Sequence, residues 1–106
     1  MSSDLNVQQM QLVAYAVFTC ATAAVIKARG CSIARTALGT YTCTLDGSAG
    51  DTDATECIVV ANCRGATPAI LSSVQTSDSV KTLYAVDATG AAVDPTEMSV
   101  LVYRLA

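Results

Sequence analysis

The sequence predicts an all-β fold, and three observations carry that prediction. Short stretches rich in Val, Thr, Ile, Leu and Tyr recur along the 106 residues, separated by Gly, Asp, Pro and Ser. Their starts fall about every 10 to 14 residues, close to the spacing of sandwich and barrel strands. One stretch, 39–45 (GTYTCTL), alternates with period two without a break. Tyr41, Cys43 and Leu45 then share one face, and Thr40, Thr42 and Thr44 the other. The expected architecture is a single small β-sandwich or jelly-roll-like domain over residues 9–106, preceded by an N-terminal arm, residues 1–8.

Residues 10–19 (MQLVAYAVFT) read as the first strand, because β-branched and aromatic side chains suit a pleated surface. Residues 22–29 (TAAVIKAR) follow as a second strand, ended by Gly30, and 32–36 (SIART) as a third. The fourth is 39–45. Residues 46–56 (DGSAGDTDATE) form a polar loop. Residues 57–63 (CIVVANC) are apolar on both faces, as a central strand would be. After a turn at 64–68 come a strand at 69–75 (AILSSVQ), a turn at 76–79, and a strand at 80–86 (VKTLYAV). Asp87-Ala88-Thr89-Gly90 carries a strong hairpin-turn signal. A loop with Pro95 precedes the last strand, 98–105 (MSVLVYRL). Both faces of that strand are apolar, so it is either central under a covering loop or set against a partner. Packing in a homo-oligomer is the expectation.

Composition restricts the function. Hydrophobic residues make up 52% of the chain and charged residues 14%, against about a quarter in an average soluble protein. A surface this poor in charge is expected to lie partly against other subunits, with both termini tied down by neighbours. Net charge is −3, and the six basic residues (Lys27, Arg29, Arg35, Arg64, Lys81, Arg104) are scattered singly. With five aromatic residues in all, neither phosphate collection nor base stacking has a platform, which argues against nucleic acid.

Catalytic chemistry finds little here. There is no histidine, the commonest general base and a leading metal ligand. The five cysteines, at 20, 31, 43, 57 and 63, form no C-x-x-C pair and read as buried reduced thiols; one or two disulfides are the alternative. Lys27 and Arg29 lie near Cys20 and Cys31 in sequence, where they could lower a thiol pKa. Asp46, Asp51, Asp53 and Glu56 share one loop, but their order does not match a calcium-binding loop. No Gly-rich phosphate loop is present. The expectation is no catalytic residue, no cofactor and no metal. Residues 12–26 are the most apolar stretch, yet no basic segment precedes them and they fall short of the ~20 residues of a spanning helix, so no membrane segment is expected.

The run Lys27-Ala28-Arg29-Gly30-Cys31-Ser32-Ile33-Ala34-Arg35-Thr36, followed by Leu38-Gly39-Thr40-Tyr41-Thr42-Cys43-Thr44-Leu45-Asp46, resembles small β domains of tailed-bacteriophage virion proteins. The ending from Val80 to Arg104 is similar too, so the resemblance spans residues 25–105. It departs from the pattern at Cys43 and Cys57, where such strands usually carry Val or Ile. The resemblance implies a non-enzymatic virion structural protein on the capsid surface. That would be a decoration (cement) protein bound to the major capsid protein and to itself, as a homotrimer or other homo-oligomer. A phage fibre or receptor-binding module is the alternative, for which an exposed tyrosine would be expected; Tyr15, Tyr41, Tyr84 and Tyr103 mostly read as interior. Leu5 and Val7 of the arm are placed to lie across a neighbour.

Overall fold

A computed structural model describes residues 10–46 and 57–105. The arm, most of the acidic loop and both termini lie outside the described residues, and with them the expectations made there.

The described residues form eight strands: β1 (Met10–Thr19), β2 (Ala24–Arg29), β3 (Cys31–Ala37), β4 (Thr40–Leu45), β5 (Cys57–Arg64), β6 (Ile70–Gln75), β7 (Val80–Val86) and β8 (Glu97–Leu105). They form two four-stranded sheets, β2-β1-β8-β5 and β3-β4-β7-β6, with every pairing antiparallel. The β-sandwich that the alternation predicts is the fold of this chain. Hairpins β1–β2, β3–β4 and β6–β7 pair locally, while β1–β8, β5–β8 and β4–β7 are the long-range pairings that complete the sheets.

The core fills the space between the sheets. Ala14, Ala16 and Phe18 of β1 and Met98, Val100 and Val102 of β8 point inward from the first sheet. Tyr41, Cys43 and Leu45 of β4, with Leu83 and Ala85 of β7, answer from the second. These are the period-two faces of each strand. The rings of Phe18 and Tyr41 meet edge to face across the core, 5.5 Å between centroids. Lys81 shares the inward face of β7 and is fully buried; its Nζ donates to the carbonyls of Ser77 (3.2 Å) and Asp78 (2.9 Å). The stem packs as a hydrocarbon while the head reaches main-chain oxygen at the sandwich end.

Gly30 makes the corner at which the chain leaves the first sheet for the second. Its φ is +78°, and a Cβ there would sit 2.6 Å from the Val13 carbonyl oxygen. Only glycine accepts both conditions.

Two strand-level expectations are corrected. β5 is not central: among the described residues it pairs with β8 alone, at an edge of the first sheet. Its apolar outer residues Ile58 and Val60 stand exposed instead of covered. The Asp87–Gly90 segment does turn, with Gly90 N–H donating to Asp87 O (3.0 Å) and Asp87 N–H to Ala91 O (2.8 Å). It does not close a β7–β8 hairpin, because these strands belong to different sheets. One isolated bridge, Val86 to Ala92, is all the pairing the turn supports.

Candidate functional site

The two outer faces of the sandwich differ in chemistry. On the second sheet, register aligns Ala34, Thr42, Thr82 and Val74 in one row and Thr40, Tyr84 and Ser72 in the next. Threonine and serine alternate on this face with exposed Val74 (52%), Tyr84 (38%) and, in the row beyond, Ile70 (62%). On the first sheet, one row is Leu12, Tyr103 and Ile58, and the next is Tyr15, Leu101 and Val60. Val17 and Ser99 continue toward the end where Arg64 pairs with Glu97 at 3.7 Å. Leu12, Ile58 and Val60 are 45%, 39% and 46% exposed, and Tyr15, Val17, Leu101 and Tyr103 are half-buried. Lys27 and Arg29 border the patch on β2, opposite Val17 and Tyr15. β8 is central in the first sheet, and Leu101 and Tyr103 on its outer face are half-buried.

The sandwich sides also differ. β2 and β3, the edges on one side, carry Lys27, Arg29 and Arg35. Such charges discourage strand addition. On the other side β5 is uncharged from Cys57 to Cys63 and β6 is uncharged throughout. Between these edges lies an open cleft of about 290 Å³, lined by Val59, Val60, Ala61, Leu71, Ser72 and Ser73. Its ends are clasped: Gln75 Nε2 donates to the Cys57 carbonyl (3.0 Å), and the Cys63 thiol to the Ala69 carbonyl (3.6 Å).

One polar cluster was not legible in the sequence. Asp94, in the β7–β8 crossover, accepts from Arg35 Nη2 (2.8 Å), from Gly39 N–H (2.9 Å) and from the Tyr41 hydroxyl. Burial pushes its carboxyl up, but these donors outweigh burial and hold it below the ordinary carboxylate value. Burial, and then the bond to Asp94, push the Tyr41 phenol above its ordinary value. All of Asp94's partners are donors from the β3–β4 hairpin, so the cluster fastens the crossover to that hairpin. It offers no general base: its carboxylate is saturated and its phenol is held protonated.

The cysteines separate by environment. None of the five is joined in a disulfide among the described residues. Burial pushes Cys20 up to about 11. Cys31 is lowered, by a hydrogen bond from Cys43 and not by Lys27 or Arg29 as the sequence suggested; Cys43 is raised by the same contact and by burial. Among the acidic-loop residues singled out, Asp46 is exposed, and Asp51, Asp53 and Glu56 lie outside the described residues. Among the described residues no three His, Cys, Asp or Glu side chains gather as metal ligands. No described helix is long and apolar enough to cross a membrane; residues 12–26 fall in β1, the turn and β2. Of the tyrosines, only Tyr41 is fully interior, while Tyr84 is 38% exposed. The expectation that they are mostly interior is corrected, because Tyr84 takes the outward phase of β7.

Comparison with protein-family models, with curated proteins and with solved structures finds no match to this chain.

Proposed function

We propose that this chain is a non-enzymatic assembly protein that works through the outer face of its first sheet. The observation that carries the reading is the contrast between the two outer faces. The first sheet sets two aligned rows of aliphatic and aromatic side chains, Leu12-Tyr103-Ile58 and Tyr15-Leu101-Val60, whereas on the second sheet hydroxyls interrupt the apolar residues in each row. Contiguous apolar surface of this kind marks an interaction site. Following the resemblance of residues 25–105, the partner is the major capsid protein of a tailed phage, and the chain decorates and stabilises that shell together with further copies of itself. A standard interface of about 800 Å² per partner is ample for this task.

A second reading rests on a separate observation. Tyr84 stands exposed between Thr40 and Ser72 on the second sheet. A ring flanked by hydroxyls is suited to stack on a sugar, as in a fibre or receptor-binding module.

The experiment is the copy number of this chain in its native particle, by quantitative gel or native mass spectrometry, with outer-face variants alongside. Hundreds of copies per particle, lost on Leu101→Lys or Leu12→Lys with the domain still folded, support decoration. A handful of copies, with binding lost on Tyr84→Ala instead, supports the fibre reading. A free chain with no particle partner rejects both.

A further inference from the structure

We propose that β5 is a self-pairing edge: two copies join β5 to β5 antiparallel about a two-fold axis at Val60, making one continuous eight-stranded sheet. The proposal deepens the assembly reading by naming a second copy as the occupant of this edge. It does not depend on what covers the outer face.

Four observations converge on Val60. The edge has no gatekeeping charge from Cys57 to Cys63, whereas the β2 and β3 edges on the opposite side carry three basic residues. β5 pairs with β8 one-to-one from Cys57 to Arg64 without a register shift, whereas both pairings of β1 are bulged. A long, regular, uncharged edge is a template for another strand. The cleft between β5 and β6 is centred on Val59, Val60 and Ala61, where the partner strand would close it. Finally, the apolar row Tyr15, Leu101, Val60 ends at this edge, so a two-fold at Val60 runs it directly into its own copy.

Register follows from symmetry. A two-fold that keeps the inner faces of both copies on the same side must pass through a residue, because opposed residues in an antiparallel pair share a face. With Val60 on the axis, Val59 opposes the partner's Ala61, and Cys57 opposes the partner's Cys63. The two cysteines of β5 are equidistant from the axis and both point inward. Opposed Cα atoms in an antiparallel pair are about 4.5–5.5 Å apart, within the span of a disulfide, about 4.4–6.8 Å. In a single chain Cys57 and Cys63 are six residues apart along one extended strand, roughly 20 Å. A Cys57–Cys63 disulfide can therefore form only between copies.

The test uses the full chain and diamide as oxidant. Two thiols give up two protons and two electrons to the azo bond, which becomes a hydrazide as the S–S bond forms. The expected result is a covalent dimer whose non-reducing peptide map contains the Cys57–Cys63 link. Cys57→Ser and Cys63→Ser chains should each fail to form that link alone and regain one link per dimer when mixed. Val60→Lys sets two ammonium groups facing each other on the axis. At an exposed site it should leave the circular dichroism unchanged and turn the sedimenting dimer into a monomer. A wild-type chain that sediments as a monomer overturns the proposal, even where that chain still binds a particle, and so does a dimer linked as Cys57–Cys57 or Cys63–Cys63. A Cys57–Cys63 dimer that binds no particle upholds the pairing and rejects the capsid partner alone.

Discussion

Asp94 shows how one side chain can fix a long connection. The crossover from β7 to β8 has little regular pairing, and its main polar anchor is a carboxylate that accepts three donors from the β3–β4 hairpin. Hydrogen bonds to a charged group contribute about 1.5–3 kcal/mol each before the cost of desolvation. Asp94→Asn should destabilise the domain by about 1–3 kcal/mol at pH 7. The pH dependence has a definite sign. The folded state holds Asp94 below the usual 3.8, so its stabilisation is complete above that value and is lost as pH falls through the lower folded value. Asp87 is also lowered, by bonds from the Thr89 hydroxyl and the Thr89 and Ala91 amides, and shares the acid limb. The gap between wild type and Asp94→Asn in urea midpoint should therefore narrow below pH 4; a gap that stays constant would show that the carboxylate charge is not what holds the crossover.

At the scale of elements, the corner between β2 and β3 is a tight point of the backbone path. Gly30 and Gly90 have similar positive φ, +78° and +88°. They differ in surroundings: a Cβ on Gly30 meets the Val13 carbonyl at 2.6 Å, whereas one on Gly90 meets nothing within 4 Å. Gly90→Ala should cost only the backbone strain, about 1–2 kcal/mol. Gly30→Ala should cost more, about 3 kcal/mol or above, since the clash adds to the strain and moves β1 against the corner. Thermal melts of the pair check this; equal losses would mean that the corner yields freely. The same comparison explains what was legible. The strand at 80–86 is found at those residues because its alternation is local. The edge position of β5 was not legible, because an apolar run is the same whether its second neighbour is a strand, a partner or nothing. Pairing order is set by long-range contacts that leave no mark on the strand itself.

For the whole molecule, the distribution of polarity matters more than any single site. Charge is low, the second sheet mixes hydroxyls with exposed Ile70, Val74 and Tyr84, and the first sheet presents apolar rows that reach an edge uncharged from Cys57 to Cys63. The eight strands close both sheets using residues 10–105. Removing residues 2–8 should leave the unfolding free energy unchanged within about 0.5 kcal/mol. If Leu5 and Val7 lie across a neighbour, the same deletion should lower occupancy on the particle. Full occupancy by the truncated chain, counted per particle by densitometry, removes the arm from the assembly.

Period-two alternation and turn residues by themselves determined that the chain is all-β, where most strands lie and which face of β4 is interior, because these depend on neighbours two residues apart. The low charge and the doubly apolar last strand also pointed to buried outer surface. Tertiary structure alone decided that β5 is an edge, that Lys81 lies inside, that Asp94 gathers Arg35, Gly39 and Tyr41 from more than fifty residues away in sequence, and that the apolar rows share one face. These are facts of register and strand order. They arise when distant segments compete for the same edge, and a residue's own neighbours carry no record of that competition.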